Sequence, residues 1–434
     1  MSKKVAVFAT HDFGGAGESA YRIAKAIQKL GYESKLIVKH KAKSDSLVCQ
    51  VAQINKPEPI VKRASNRILK IFSNNQKNEE LLLDKNYHFF NIDESQVSTS
   101  SVSVLNALPF KPDIILLAWV TGFINTELAY KLQKETGAQV YWLMTDMAPI
   151  TGGCHYAWDC KGYTRDCSNC PAILTEKYKD RAKQNLLFKR SFIEASNIKV
   201  IAGSGWTLNQ AKASSLFKNQ NYIPLINGLI DFNIFNNANR NIAKQVFHVQ
   251  KDFKIIFSGA TYTGEKRKGI SELIQSLQKL YQLQTDEENG RIKILVAGNQ
   301  LDENELVKQI PFDIIPIDFI KDERLLSLAY QAADAFICSS LEDSGPMMVN
   351  EALACGTPVV GFEMGLLHNM IQNGKNGFKV PLGDTTALAR AIRSILSLTE
   401  TEFQTCSANA IKIVEENASI SSLERLMLEL SKEI

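Results

Sequence analysis

The acidic residues Asp343 and Glu351 are separated by seven residues, and Glu342 directly precedes the first of them. They lie in the stretch 339–360, where an apolar run predicts a buried strand, a Gly-Pro turn follows, and Glu351 falls in a helical pattern. This order puts carboxylates at the carboxyl edge of a sheet, where open α/β folds bind ligands. The acids either face a sugar and a ribose hydroxyl, or belong to a solvated turn and a helix start favoured by the helix dipole.

A basic turn lies between a predicted strand and a predicted helix in the same half of the chain. It holds Lys266, Arg267 and Lys268, and the loop that leads to it begins at Gly259. Three cations at the start of a helix are unfavourable by themselves, because the helix dipole is positive there. A bound anion of high charge would resolve the conflict through charge-assisted hydrogen bonds. The turn therefore predicts a diphosphate clamp, with a solvated basic turn as the alternative.

A glycine-rich segment follows the first predicted strand. Residues 15–20 fit the pattern G-x-G-x-x-A of dinucleotide-binding folds. Such glycines let backbone N–H groups approach an anion at the start of a helix. The acid that the pattern requires after the second strand is absent, and four extra residues precede the motif. We therefore predict that Gly14, Gly15 and Gly17 form a tight turn beside bound substrate or phosphate; a purely structural turn remains the alternative.

Asp146 and His155 follow a predicted strand and lie in the loop after it. If the chain forms two facing domains, both residues face the cleft. Either side chain could then hydrogen-bond an acceptor hydroxyl or a donor sugar, although a single Asp after a strand is often only a cap.

Four of the eight cysteines cluster with the spacing C-x5-C-x6-C-x2-C. In a reducing compartment such a cluster favours a metal site over disulfides. Four thiolates are enough for a closed tetrahedral zinc site, which here would be structural. Disulfides and unlinked cysteines are the alternatives. The four residues are Cys154, Cys160, Cys167 and Cys170.

Two successive series of strand and helix patterns divide the 434 residues, a length that favours two domains of about 200 residues each. We expect an α/β protein with two Rossmann-like domains. The predicted parts are a first domain at 1–230, a linker at 231–249, a second domain at 250–412, and a final helix at 413–434 that packs back on the first domain.

Three local predictions accompany this organisation. The first helix is expected to begin near Glu18, a strand is expected at 222–226, and a single helix is expected over about 401–431.

The composition is that of an ordinary globular protein, with 45% hydrophobic residues and 22% charged residues. A net charge of +4 gives no support for nucleic-acid binding. The N-terminal residues lack the features of a signal peptide, and no apolar run is long enough to span a membrane, so we expect a cytoplasmic protein. The segment 59–77 reads as a basic amphipathic helix, which would lie on an anionic membrane surface or pack on its own domain.

The second half of the chain resembles the retaining glycosyltransferases of family 4, which have the GT-B fold with the active site between two Rossmann-like domains. The likeness rests on the acid pair Asp343 and Glu351 and on the sequence EALACGTPVV that begins at the second acid. SGATYTGEKRKG at 258–269 and INGLID at 226–231 are also similar to that family.

The resemblance implies a role for each of these residues. Glu351 would bind the donor ribose, Asp343 or Glu342 would lie near the donor sugar, and Lys268 would hold the diphosphate. The family's usual arginine after the strand that begins at Lys254 is absent, which leaves Arg267 as the substitute. The remaining donor-pocket residues that we expect are Gly259, Pro346, Met347 and Met348.

The first half is similar to capsular glycosyltransferases of the colanic-acid type, on the evidence of Asp146-Met147, TGGCHY at 151–156 and the four cysteines. The implied reaction moves a sugar, with retention, from a nucleotide-sugar to a glycan or lipid-linked acceptor, without a catalytic metal. A nucleotide-sugar epimerase and a non-catalytic nucleotide-sugar-binding scaffold are the alternatives.

Overall fold

A computed structural model describes residues 3–52, 80–260, 265–298, 307–317 and 320–432. The predicted amphipathic segment 59–77 lies outside the described residues. No helix in the described ranges is long and apolar enough to cross a membrane.

The first domain is built on a sheet of six parallel strands. These are β1 Lys4–His11, β2 Glu33–His40, β3 Val48–Gln50, β4 Ile114–Leu117, β5 Gln139–Met144 and β6 Lys199–Ala202. Its helices are α1 Gly14–Lys29, α2 Ser101–Ala107, α3 Thr126–Thr136, α4 Arg181–Ser196 and α5 Gly205–Ala213. The strand order β3-β2-β1-β4-β5-β6 is that of a doubly wound Rossmann sheet.

The second domain repeats this topology. Its strands are β7 Lys254–Ala260, β8 Ile292–Gly298, β9 Asp313–Ile317, β10 Ala335–Cys338, β11 Val359–Phe362 and β12 Gly377–Val380. They pair in the order β12-β11-β10-β7-β8-β9, all parallel. The helices from this domain to the chain end are α6 Arg240–Val246, α7 Ile270–Gln282, α8 Asp286–Gly290, α9 Glu323–Ala332, α10 Met347–Ala354, α11 Leu367–Met370, α12 Thr385–Leu396, α13 Glu400–Asn417 and α14 Ile420–Ser431.

Uninterrupted apolar runs explain why these strands form the centres of the sheets. The four residues of β4 and the four of β10 are all buried, because helices cover both faces of a parallel sheet. The prediction of an α/β protein with two Rossmann-like domains is confirmed.

The last helix returns to the first domain. Leu423, Met427 and Leu430 of α14 are buried in the same apolar cluster as Val5 of β1 and Ile23 of α1. The chain therefore crosses between the domains twice, once before α6 and once between α13 and α14. The two crossings touch, since the backbone N–H of Ile230 donates to the carbonyl of Ala418 at 2.9 Å.

Three local predictions are wrong. The segment 222–226 forms only a single bridge, from Leu225 to Ala202, because it runs along the end of β6 without a ladder of its own. The helix expected over 401–431 is two helices, which break at Ala418 where α14 turns back to the first domain. The first helix begins at Gly14, four residues before the predicted start.

The segment 231–249, predicted as a linker, contains helix α6. It also contributes Phe235, which is fully buried in the core of the second domain. The sequence did not predict this helix or the buried Phe235, because the segment is rich in asparagine and its few buried residues follow no helical or strand period.

Candidate active site

The site predicted in the second domain lies where β7 and β10 end side by side. These adjacent central strands lead to helices on opposite sides, so a crevice opens beyond their carboxyl ends. The basic turn follows β7 and the acidic turn follows β10. The fold thus brings together two motifs that are about 75 residues apart in the chain.

Asp343 contacts two of the three cations of the basic turn. Its Oδ2 atom accepts from Lys268 Nζ at 2.8 Å and from Arg267 Nη1 at 3.0 Å. Burial raises the pKa of Asp343, but Lys268 and Arg267 lower it further, so the net pKa lies below its ordinary value. Asp343 is therefore ionised at neutral pH, and it holds two cations at the mouth of the crevice.

Gly269 sets the position of this basic turn. Its φ is +63°, and a Cβ atom built on it would lie 1.9 Å from the carbonyl oxygen of Ser339. Only glycine allows the turn to pack this closely against the end of β10. The close approach puts the neighbouring Lys268 within reach of Asp343.

Glu342 points away from these cations, towards the cysteine-rich loop of the first domain. The backbone N–H of Trp158 donates to its carboxylate. Burial, followed by the negative charge of this carboxylate, raises the pKa of Tyr163. Burial, followed by repulsion from Asp343, raises the pKa of Glu342 to about 7. The two neighbouring carboxylates thus occupy different surroundings, and of the two only that of Asp343 bonds to the side chains of Arg267 and Lys268.

Glu351 lies on α10 and is 6% exposed. Its Oε1 atom lies 3.3 Å from Nη1 of Arg22, which belongs to α1 of the facing domain, and its Oε2 atom accepts from the hydroxyl of Tyr330 at 3.1 Å. Arg22 also contacts Glu323 of α9 at 2.5 Å. Burial raises the pKa of Glu351, and Arg22 offsets part of this rise. Both oxygens of the residue predicted to bind ribose are therefore bonded to protein groups in this structure.

Asp146 and His155 form a buried pair in the first domain. Nδ1 of His155 lies 2.6 Å from Oδ2 of Asp146, and Nε2 lies 3.2 Å from the hydroxyl of Thr121. The indole nitrogen of Trp119 is also 3.3 Å from Nδ1. The contact with Asp146 is much shorter, so Nδ1 carries the proton and donates to the carboxylate. In the neutral imidazole, Nε2 is then an acceptor for the Thr121 hydroxyl.

The glycine-rich segment is not a loop. Gly14, Gly15 and Gly17 lie in the first turn of α1, and no side chain caps this helix start. A Cβ atom at Gly17 would lie 2.6 Å from the carbonyl oxygen of His11, so glycine lets α1 begin directly behind β1. The prediction of a tight turn at these glycines is therefore wrong, because α1 already begins at Gly14. The uncapped N–H groups of the first turn remain able to bind an anion.

The other predicted donor-pocket residues surround the start of α10. Pro346 is the residue before the helix, and the side chain of Met347 packs against Gly228. Met348 packs against Gly259 near the end of β7. These residues shape the wall beside Asp343.

The four clustered cysteines line one small cavity of about 20 Å³, and none forms a disulfide. Within the described ranges, however, no group of three or more His, Cys, Asp or Glu residues is arranged to hold a metal ion. The structure therefore does not support the zinc prediction. Apolar side chains such as Phe89, Ala157 and Ala182 line the same cavity and separate it from solvent.

The cysteine-rich loop reaches the second domain, which the sequence did not indicate. The guanidinium carbon of Arg267 lies 4.7 Å from the ring centre of Tyr156, and Nζ of Lys266 lies 5.4 Å from that of Trp158. Cation–π contacts therefore hold the loop against the basic turn. Arg22 was also missed, because a single arginine in an amphipathic helix gives no sign of a partner 329 residues away.

Comparisons with known proteins agree with this architecture. Residues 252–398 match the family described as glycosyl transferases group 1. The chain is 31% identical over 136 residues to phosphatidyl-myo-inositol mannosyltransferase of Mycobacterium leprae, covering 30% of this chain and 34% of that protein. It is 24% identical over 211 residues to N-acetyl-alpha-D-glucosaminyl L-malate synthase of Bacillus anthracis, covering 48% of this chain and 52% of that protein. The chain thus spans about a third to a half of the length of these relatives.

Solved structures match over the whole chain. Sucrose-phosphate synthase from Thermosynechococcus elongatus gives a TM-score of 0.63 at 16% identity, covering 100% of this chain and 99% of that one. The chain has the GT-B fold. A second GT-B structure, that of Anabaena HepE in complex with UDP and glucose, matches with a TM-score of 0.60 at 13% sequence identity. The match covers 100% of both chains. The predicted fold class is confirmed, and the matched part of the second domain is similar to group 1 glycosyltransferases.

Proposed function

We propose that this GT-B protein is a glycosyltransferase that moves a sugar, with retention at the anomeric carbon, from a nucleotide-sugar to a saccharide or lipid-linked acceptor. The observation that carries the proposal is the contact of Asp343 with Lys268 and Arg267 at the edge of the second sheet. These groups lie beside the first domain, because the ring of Tyr156 stacks on Arg267. The match of residues 252–398 to group 1 glycosyltransferases supports the same site.

The proposed donor site uses the charges that the fold has assembled. Lys268 and Arg267 would hold the diphosphate and stabilise the negative charge that develops on it as the sugar leaves. Asp343 keeps both cations in place before the donor binds and would lie near the donor sugar. The complex of HepE with UDP and glucose is consistent with a uridine nucleotide as the first donor to test.

Each carboxylate oxygen of Glu351 has one protein partner in this structure, Arg22 or Tyr330, and can accept a second hydrogen bond. A donor ribose would therefore bind Glu351 beside Arg22 or in its place. Asp146 and His155 would face the acceptor hydroxyl or the donor sugar from the first domain. In this arrangement Asp146 fixes the imidazole, and Nε2 is the atom able to accept a proton.

A role in surface polysaccharide synthesis at the cytoplasmic side of a membrane is part of the proposal. It is supported by the resemblance of the first half to colanic-acid-type enzymes and by the basic pattern at 59–77. Flotation with vesicles containing anionic lipid tests the membrane contact. Protein that remains at the bottom of the gradient would exclude it.

The direct test measures nucleotide binding. Isothermal titration with UDP, GDP and ADP should give saturable binding to one of them, and Lys268→Ala should weaken it about tenfold or more, because a charge-assisted hydrogen bond is lost. Lys412→Ala is the matched control, since Lys412 is 72% exposed on α13 and should leave binding unchanged. Binding to none of the three nucleotides would contradict the donor site.

Product analysis separates the alternatives. A glycosyltransferase should release the nucleoside diphosphate and attach the sugar to an added acceptor. An epimerase would produce a free or isomerised sugar without any acceptor. A scaffold would bind the nucleotide but turn over none of the matching nucleotide-sugar, and Asp343→Asn would then change nothing but affinity.

A further inference from the structure

A cavity of about 290 Å³ opens in the first domain beyond the ends of β4 and β5. Its walls come from residues 90–94, 96–97 and 118–125, together with Trp142, Asp146 and Ala148. Pockets for small molecules usually span about 300–1,000 Å³, so this one suits a single ring rather than a whole nucleotide-sugar. It is separate from the basic turn that is proposed to hold the diphosphate.

Aromatic rings supply the apolar part of the wall. Phe90 is 53% exposed, and its ring centre lies 6.5 Å from that of Trp119 in an edge-to-face arrangement. Phe90 also contacts the ring of His155 at 4.9 Å. An aromatic face left open to solvent beside polar groups is suited to a ligand that is apolar on its face and polar at its edges.

Two of the three acids that line the cavity are paired with cations outside it, Asp93 with Arg181 at 3.2 Å and Glu94 with Lys189 at 3.7 Å. The third, Asp146, accepts a hydrogen bond from the imidazole of His155 at 2.6 Å. Among the described residues that line the cavity, none is Lys or Arg. An anionic ligand would therefore meet acidic and no basic side chains on the cavity wall, which is unfavourable. Lys39 lies outside this lining, where it donates to the carbonyl oxygen of Gly122 at 2.6 Å.

We propose that this cavity binds a neutral sugar ring, the acceptor end of the reaction, with its apolar face against Phe90 and Trp119. The proposal rests on the proposed function and adds that the accepting sugar carries neither a carboxylate nor a phosphate. The exposed amide of Gln96 and the carboxylate of Asp93 supply hydrogen bonds to ring hydroxyls. Asp146 lines the same cavity, so the Asp146–His155 pair lies beside the bound ring.

Saturation-transfer NMR on the full chain tests the proposal without any nucleotide. The probes are the methyl glycosides of glucose, galactose, mannose and N-acetylglucosamine, with methyl glucuronide as the anionic probe. At least one neutral glycoside should bind, and methyl glucuronide should bind at least about tenfold more weakly. Phe90→Ala should weaken the neutral glycoside about tenfold, since an exposed stacking face is lost.

Tyr222→Ala is the matched control, because Tyr222 is 60% exposed and lies outside the cavity. Gln96→Lys adds a cation to the wall and should improve binding of methyl glucuronide relative to the neutral probe. The proposal is overturned if no neutral glycoside binds, if methyl glucuronide binds equally well, or if Phe90→Ala has no effect. Nucleotide titration of Phe90→Ala distinguishes this proposal from that of the donor site. Loss of glycoside binding with unchanged nucleotide binding would show that Phe90 acts at the cavity and not at the donor site.

Discussion

Replacing Arg22 by Met should destabilise the protein, because Arg22 is the cation between two acids of the opposite domain. Its side chain is 14% exposed and that of Glu351 is 8% exposed, so the loss leaves a buried carboxylate unpaired. Removing one partner of a buried ion pair costs about 3–5 kcal/mol. We expect about 3 kcal/mol, at the lower end, because Glu323 is 37% exposed and water can solvate it.

Differential scanning calorimetry measures this effect. At about 2–4 °C per kcal/mol for domains of this size, Tm should fall by about 6–12 °C. Arg291→Met is the matched control, because its pair with Glu287 is exposed on both sides and should change stability by less than about 0.5 kcal/mol. Glu351→Gln should rescue most of the loss in Arg22→Met, since no buried charge is then left unpaired.

The loss should also depend on pH. Burial raises the pKa of Glu351 and Arg22 lowers it, so the pKa rises further in Arg22→Met. A carboxyl with a raised folded pKa favours the folded state most below its unfolded pKa, and this contribution disappears as pH rises through the folded pKa. Arg22→Met should therefore lose less stability at pH 5 than at pH 8. Equal losses at both pH values, or additive effects of Arg22→Met and Glu351→Gln, would refute the reasoning.

Two further predictions concern the acidic and basic turns. Burial and the neighbouring Asp343 raise the pKa of Glu342 to about 7, so the contribution of this carboxyl to stability should be lost as pH rises through 7. Between about pH 5.5 and pH 8.5, Tm should therefore fall less in Glu342→Gln than in the unmodified protein. Gly269→Ala should cost at least about 2 kcal/mol in urea unfolding, because a left-handed φ and a clash with Ser339 combine. Gly290→Ala, in helix α8 with open space around it, should instead gain up to about 1 kcal/mol. Equal effects of the two alanines would contradict the packing argument.

The sheets could be predicted because each central strand is a short, uninterrupted apolar run. Apolar runs at 139–144, 199–202 and 335–338 predict strands, and β5, β6 and β10 have these bounds. Strands buried on both faces are apolar along their whole length, which makes their ends easy to locate. The segment 222–226 has a similar apolar content but is packed at a strand end, and composition alone does not separate these cases. The start of α1 was missed because glycines read as a turn, whereas here they allow close packing.

The site was predictable where both partners lie in recognisable motifs. Asp343 and Lys268 follow neighbouring strands of one parallel sheet, so topology alone brings them near each other. The contacts of Arg22 and Trp158 could not be predicted, because they depend on how one domain faces the other. Such contacts are set by surface shape and leave no period in the sequence.

The adjacent crossings at Ile230 and Ala418 have a mechanical consequence. Two connections that lie side by side, joined by a backbone hydrogen bond, would serve as a single hinge for rotation of one domain against the other. A rotation about that hinge would separate Arg22 from Glu351 and the cysteine-rich loop from the basic turn in a single movement. Opening the cleft and freeing Glu351 would then be the same event.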